Sequence, residues 1–122
     1  PKAENRQNEV SALSRGLKIL ASQLDISIVV AAQLNRGPEN RADKRPQASD
    51  LRESGSLEND ASRIILVHRE EVADHKSARK GEADLIVDKN RHGDRGTVPV
   101  AAQLHIARFA GMTRFDTFGE QR

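Results

Sequence analysis

Three short stretches of the chain carry side chains able to do chemistry. The first is Gln33-Leu34-Asn35-Arg36, which ends a long apolar run with a glutamine. A glutamine at the C-terminal end of a buried strand stands where open α/β sheets gather their ligands, and its amide can hydrogen-bond a phosphate or orient a water. Satisfying loop backbone is an equally open use for the same amide. The second is Lys89-Asn90-Arg91-His92-Gly93, with two cations two residues apart as the chain leaves a strand. Such a pair can reach anionic oxygens together, the arginine as a planar fork and the lysine as a point charge. As a bare pattern it also fits a solvated turn. The third runs from Ser49 to Ala61, where Arg52, Glu53 and Gly55 crowd one turn after an arginine-rich loop. Backbone amides and charges there could meet a phosphate backbone; the plainer alternative is a helix-capping segment with surface charges.

Other chemistries find no support. No G-x-x-x-x-G-K-[ST] occurs, so nothing here cradles nucleotide phosphates in the P-loop manner. Leu85-Ile86-Val87-Asp88 ends apolar residues in a carboxylate, as a magnesium-holding strand does, but that role needs a P-loop beside it. A buried strand whose exposed end carries Asp88 is the simpler account. His68, His75, His92 and His105 form no i, i+4 pair, so no metal site is expected. There is no G-x-S-x-G elbow, and the absence of cysteine excludes disulfides, thiolate zinc sites and cysteine nucleophiles.

The elements that must position these stretches read as α/β. Val10, Leu13, Leu17, Leu20 and Leu24 recur at steps of three and four and predict a helix over 5–24, capped by Asn5 or Asn8. Residues 26–34 (ISIVVAAQL) are nearly all apolar and rich in β-branched types, the pattern of a strand buried on both faces of a parallel sheet. Residues 35–50 are a polar loop with Gly37, Pro38 and Pro46. Ser49 can cap one turn that Gly55 ends, and Ser56, Asn59 and Asp60 suggest a second. Further core strands are expected at 63–68, 83–89 and 97–109, with 83–89 and 97–109 pairing as an antiparallel hairpin around the glycine-containing turn 91–96. Residues 70–82 are charged and loop-like.

The 122 residues suffice for one small domain, yet only 36% are hydrophobic, which leaves a modest core. A formal charge of +2 does not by itself indicate nucleic acid. No run approaches the length of a membrane span and no signal peptide is evident, so a cytoplasmic location without membrane contact is expected. The chain opens on Pro1 and has Met112 as its only methionine, which suggests a piece of something longer.

Taken in order, Asn5-Arg6-Gln7-Asn8-Glu9, Ser14-Arg15-Gly16-Leu17-Lys18, Gln33-Leu34-Asn35-Arg36, Asp43-Lys44-Arg45-Pro46, Ser49 to Ala61 and Lys89 to Gly93 resemble the C-terminal half of the DnaB family of replicative DNA helicases. The resemblance runs from about Asn5 to Phe109. It implies the later half of a RecA-like P-loop NTPase core with a mixed sheet, lacking the Walker A half, over 1–122. It further implies a hexameric, ATP-dependent ring that translocates on single-stranded DNA and unwinds duplex DNA at the replication fork, in the replisome. Gln33 matches the glutamine that senses the γ-phosphate. Lys89 and Arg91 match the lysine and arginine finger that reach a neighbouring subunit's nucleotide. Arg52, Glu53 and Gly55 match the loop that holds DNA in the central channel. ATP and Mg2+ would be held mainly by segments outside this chain, so the chain alone is expected to be inactive; primase and a helicase loader are implied partners. Asp88, His92 and the pair Ala31-Ala32 depart from the family's usual residues, and the charge of Asp88 would oppose an approaching phosphate. Competing readings are a truncated, catalytically dead paralogue that regulates a helicase ring, and a RecA-type recombinase relative.

Overall fold

A computed structural model describes residues 2–52 and 55–112, the side chains of 2–4 excepted. In chain order the regular elements are α1 (Lys2–Leu24), α2 (Gly55–Asp60), β1 (Arg63–His68), α3 (Glu70–Ala73), β2 (Glu82–Asn90), β3 (Gly96–Gln103) and β4 (Arg108–Gly111), with 3-10 turns at Gly37–Asn40, Ala48–Asp50 and Leu104–Ile106. The four strands form one sheet in the order β1-β2-β3-β4, and every pairing is antiparallel. The expected mixed sheet is therefore corrected for the described residues. The β2–β3 hairpin forms as anticipated, with Leu85 opposite Val98 and Ile86 opposite Thr97.

α1 begins before Asn5, so neither Asn5 nor Asn8 caps it. It ends with Asp25 at φ 52, where the Asp25 amide donates to the Ser22 carbonyl and the Ile26 amide to the Ala21 carbonyl. That pair of bonds is the Schellman arrangement, here with aspartate in the left-handed position that glycine usually takes. The face of α1 turned inward differs from the leucine stripe. Ser14 is buried with Val10, Leu17 and Ala21 half-buried near it, while Leu13, Leu20 and Leu24 are exposed. α2 is the neighbour that α1 packs against, and its polar edge selects serines.

The strand expected over 26–34 is not formed. Ile26, Val29 and Val30 are exposed, and the segment pairs only at its end, where Leu34 bridges Leu51. A strand exists through its partners' hydrogen bonds, and among the described residues none flanks 26–32. The expected strand 97–109 is likewise two: the chain turns through Leu104–Ile106, Ala107 takes φ 50, and β4 folds back along β3. Residues 70–73, expected as loop, form one helical turn.

β1 alternates strictly, with Ile64, Leu66 and His68 inward and Arg63, Ile65 and Val67 outward, as a sheet covered on one face requires. Among the described residues Ala48, Ile64 and Leu66 form a core cluster, with Leu34, Leu51, Ala61 and Ile86 packed against it, and Ala83 and Val100 are buried in β2 and β3. The cluster's lid is thus the chain on either side of the polar loop.

Candidate functional site

The first and third stretches meet. The Asn35 amide donates to the Asp50 carbonyl at 2.6 Å and the Arg52 amide to the Gln33 carbonyl at 3.0 Å, on either side of the Leu34–Leu51 bridge. Because an extended chain alternates its side chains, Leu34 and Leu51 both enter the core while Gln33 and Arg52 both face solvent. Among the described residues neither the Gln33 amide nor the Arg52 guanidinium has a hydrogen-bond partner. Glu53 lies outside the described residues.

What fixes this pairing is a carboxylate that the sequence does not advertise. Asp50 is 3% exposed and accepts from Arg41 Nη1 at 2.6 Å, Arg41 Nη2 at 2.7 Å and the Gln47 amide at 2.7 Å. The guanidinium meets it as a two-pronged fork, the strong geometry for this pair. Hydrogen bonds from Arg41 lower the Asp50 carboxyl below its ordinary range, against burial, which raises it; the Gln47 amide lowers it further. Loop 36–50 is thereby closed on itself across nine residues. Gly37 sits where a Cβ would overlap Asp50 Oδ1, so the carboxylate occupies space that only glycine leaves.

The second stretch meets the chain just after the third. β2 carries an extra residue opposite the Ile64/Ile65 step: Ile64 faces Lys89 and Ile65 faces Val87, so Asp88 is bulged. Bulges re-aim side chains, and Asp88 Oδ2 accepts from the Ala48 amide at 2.7 Å. Its charge, expected to oppose an approaching phosphate, is engaged by backbone and ties β2 to the Ala48–Asp50 turn. Lys89 is half-buried and its Nζ donates to the carbonyls of Glu58 at 2.7 Å and Asn59 at 3.2 Å, at the end of α2. The Arg91 amide donates to the Ser62 carbonyl at 2.9 Å, while its side chain is exposed and without a partner among the described residues. His92 is exposed in the following turn. Gly55, expected to end a turn, instead opens α2.

At the other end of β2, Asp84 is 4% exposed and receives Arg79 Nη2 at 2.7 Å, Arg79 Nη1 at 2.9 Å and Arg45 Nη1 at 3.0 Å. The Arg79 hydrogen bonds hold its carboxyl at about 2, although burial opposes them and Arg45 assists. The neighbouring His68 is pushed below the ordinary histidine value by burial and then by the Arg45 charge. This cluster anchors loop 36–50 to the sheet from its far side. Among the described residues no three of His, Asp and Glu converge as metal ligands, and no helix there is long and apolar enough to cross a membrane.

The three stretches thus meet in two places: 33–35 on 50–52, and 58–62 on 89–91. They hold together as one motif set in space as well as in order, and residues 1–111 match the family of DnaB-like helicase C terminal domains. The chain belongs to that family. It is 55% identical over 113 residues to the replicative DNA helicase DnaB of Mycobacterium intracellulare, covering 93% of this chain and 20% of that protein. Over 111 residues it is 56% identical to that of Mycobacterium leprae, covering 91% and 18%. This DnaB-like segment therefore spans about a fifth of the length of these relatives. Among solved structures, a DnaB-like replicative helicase, solved for its interactions with primase, aligns with a TM-score of 0.84 and 41% identity over 88% of this chain and 26% of that one. A separately solved ATPase domain aligns equally well over 38% of its own chain. The fold is accordingly α/β and RecA-like, as the motifs implied.

Proposed function

We propose that this segment serves a replicative, ATP-dependent DNA helicase, in which it supplies the phosphate-sensing glutamine, the elements that reach a neighbouring subunit's nucleotide, and the loop that holds single-stranded DNA. The observation that carries this reading is the pairing of those stretches within a DnaB-like domain, 33–35 with 50–52 through backbone hydrogen bonds and 89–91 with 58–62 through backbone and ammonium hydrogen bonds.

Each role follows from chemistry. Arg91 projects from the end of β2 and can enter a neighbour's site, where a guanidinium offsets charge developing on the transferred phosphoryl group and contributes about 10³-fold or more in rate. Gln33, exposed beyond the core, can donate to the γ-phosphate or orient the attacking water. Arg52 presents an unengaged guanidinium suited to DNA phosphates, and phosphate contact carries no base code, which suits a motor that must cross any sequence. ATP brings Mg2+ with it, and in this reading both are held by a nucleotide-binding half that these residues do not provide. The other partners are the remaining subunits of a hexameric ring in the cytoplasm, a loader and, as with the DnaB-like helicase solved for its interactions with primase, a primase. The segment alone should hydrolyse no ATP.

The direct test is Arg52→Ala in a full-length helicase carrying this segment. Single-stranded DNA affinity should fall without change in sequence preference, and the salt dependence of binding should flatten by about 0.7 in log–log slope for each phosphate that is no longer neutralised. Unchanged affinity and slope would remove Arg52 from the DNA loop; ATP hydrolysis by the 122-residue chain itself would overturn the assignment of the nucleotide site.

A further inference from the structure

The turn that carries Arg91 is braced by the residue just before it. Asn90 ends β2 directly opposite Arg63, the first residue of β1. Its Oδ1 accepts from Arg63 Nε at 3.2 Å, and its Nδ2 donates to the Asp94 carbonyl at 3.1 Å. A guanidinium only donates and a carbonyl only accepts, so these two partners admit one orientation of the amide. The side chain therefore spans the turn from the strand end to its far side. The Gly93 amide closes the same turn onto the Asn90 carbonyl at 3.4 Å.

Gly93 shows how fully that space is used. Its φ is not positive, so backbone conformation does not demand a glycine there. A Cβ on it would stand 2.8 Å from Asn90 Nδ2. Glycine leaves the room that the amide fills. Arg91 lies inside the braced segment, and its own amide donates to the Ser62 carbonyl at 2.9 Å. Its backbone is held on both sides while its side chain is exposed. The backbone on which that guanidinium stands thus sets where it can reach. A group that stabilises charge developing in a transition state acts in proportion to how well it is placed beforehand, and a misplacement of about 1 Å can cost about 100-fold in rate.

We propose that Asn90, held by Arg63, is a positioning residue for Arg91: its amide fixes the backbone from which the guanidinium reaches a neighbouring subunit's nucleotide. This deepens the proposed function and rests on its assignment of Arg91. Asn90 itself touches no phosphate in this role. Arg63 lies outside the three motif stretches, and the β1–β2 register alone brings it to the site.

The test is ATP hydrolysis by the full-length ring. Asn90→Ala should lower kcat and kcat/KM together by roughly 10- to 100-fold and leave KM for ATP near its unsubstituted value, the pattern of an interaction expressed in the transition state. Arg63→Met, which keeps Asn90 but removes the donor to its Oδ1, should lower kcat in the same direction by less. In an Arg91→Ala background neither substitution should lower the residual single-turnover rate further, because both act through Arg91. An unchanged kcat in Asn90→Ala, a raised KM at constant kcat, or an equal loss with and without Arg91 overturns the proposal. If Arg91→Ala lowers kcat while Asn90→Ala does not, the positioning fails and the Arg91 assignment stands; if Arg91→Ala leaves kcat unchanged, the assignment falls and the proposal with it. Gly93→Ala crowds the amide without removing a partner and serves where Asn90→Ala rings do not assemble. It should lower kcat at constant KM and lose that effect without Arg91, and a fully active Gly93→Ala ring overturns the proposal.

Discussion

Replacing Asp50 by asparagine keeps the side chain's shape and removes its charge. In the native structure three donors converge on its carboxylate, two from Arg41 and one from the Gln47 amide. Asparagine retains one acceptor oxygen and turns an NH2 group towards a donor, so at least one Arg41 bond is lost and one approach becomes repulsive. A hydrogen bond to a charged group contributes about 1.5–3 kcal/mol, and breaking a fully buried ion pair costs about 3–5 kcal/mol. The Arg41 side chain is 28% exposed, so water recovers part of that, and about 2–3 kcal/mol is expected. The loss should be local, because Asp50 closes loop 36–50 and its own carbonyl holds the Asn35 amide. Native-state hydrogen exchange reads such local openings directly. In a full-length helicase carrying Asp50→Asn, the Asn35 and Arg52 amides should lose about 30- to 140-fold of their protection, at about 1.4 kcal/mol per factor of ten. Amides within the β2–β3 pairing should change much less. Unchanged protection at Asn35 and Arg52, or an equal loss across the sheet, would refute the view that this ion pair is what fixes the 33–35 and 50–52 pairing.

Gly37→Ala should act on the same lock. A Cβ there would overlap Asp50 Oδ1 and come within 2.9 Å of Asn35 Oδ1, and since Asp50 is held by its three donors the overpacking should cost about 1–3 kcal/mol, read at the same two amides. Asp84 predicts an acid response. Its folded carboxyl stands at about 2 against an ordinary 3.8, so its stabilisation is complete above about pH 4 and is lost as pH falls towards 2, by roughly 2 kcal/mol. Asp84→Asn should be less stable near neutrality and flatten the acid limb of a denaturation-midpoint profile; a limb as steep as before would remove Asp84 from that response.

Patterns that depend on near neighbours were legible. The periodicity of α1, the alternation of β1 and the glycine turn between β2 and β3 each specify their element, and residue type and spacing mark out the three motif stretches. What escaped depends on distant partners. Residues 26–32 have the composition of a buried strand, yet composition cannot provide the neighbouring strands, and without them Val29 stands exposed. The inward face of α1 is set by the serine-matched edge of α2, so Ser14 is buried and Leu13 is not. Asp88 has the look of a misplaced charge until the bulge in β2 brings it to the Ala48 amide, forty residues away in sequence. Arg41 and Asp50 are visible in the sequence only as charges in a polar loop; their fork is a fact of three-dimensional closure. The spacing of Lys89 and Arg91 speaks of anionic oxygens they could reach together, and the hold of Lys89 on α2 within its own chain has no sequence signal beyond the helix end at Asp60.

The central claim, that this segment projects Arg91 into a neighbouring subunit's nucleotide site, is tested most directly by mixed rings. Subunits carrying Arg91→Ala with an intact P-loop are combined with subunits whose P-loop lysine is replaced but whose Arg91 is intact, each inactive alone. Where an intact nucleotide site abuts an intact Arg91 from the next subunit, ATP hydrolysis should return as the two are mixed, passing through a maximum at intermediate ratios. Mixed rings that assemble yet stay as inactive as either parent would contradict action across the subunit boundary.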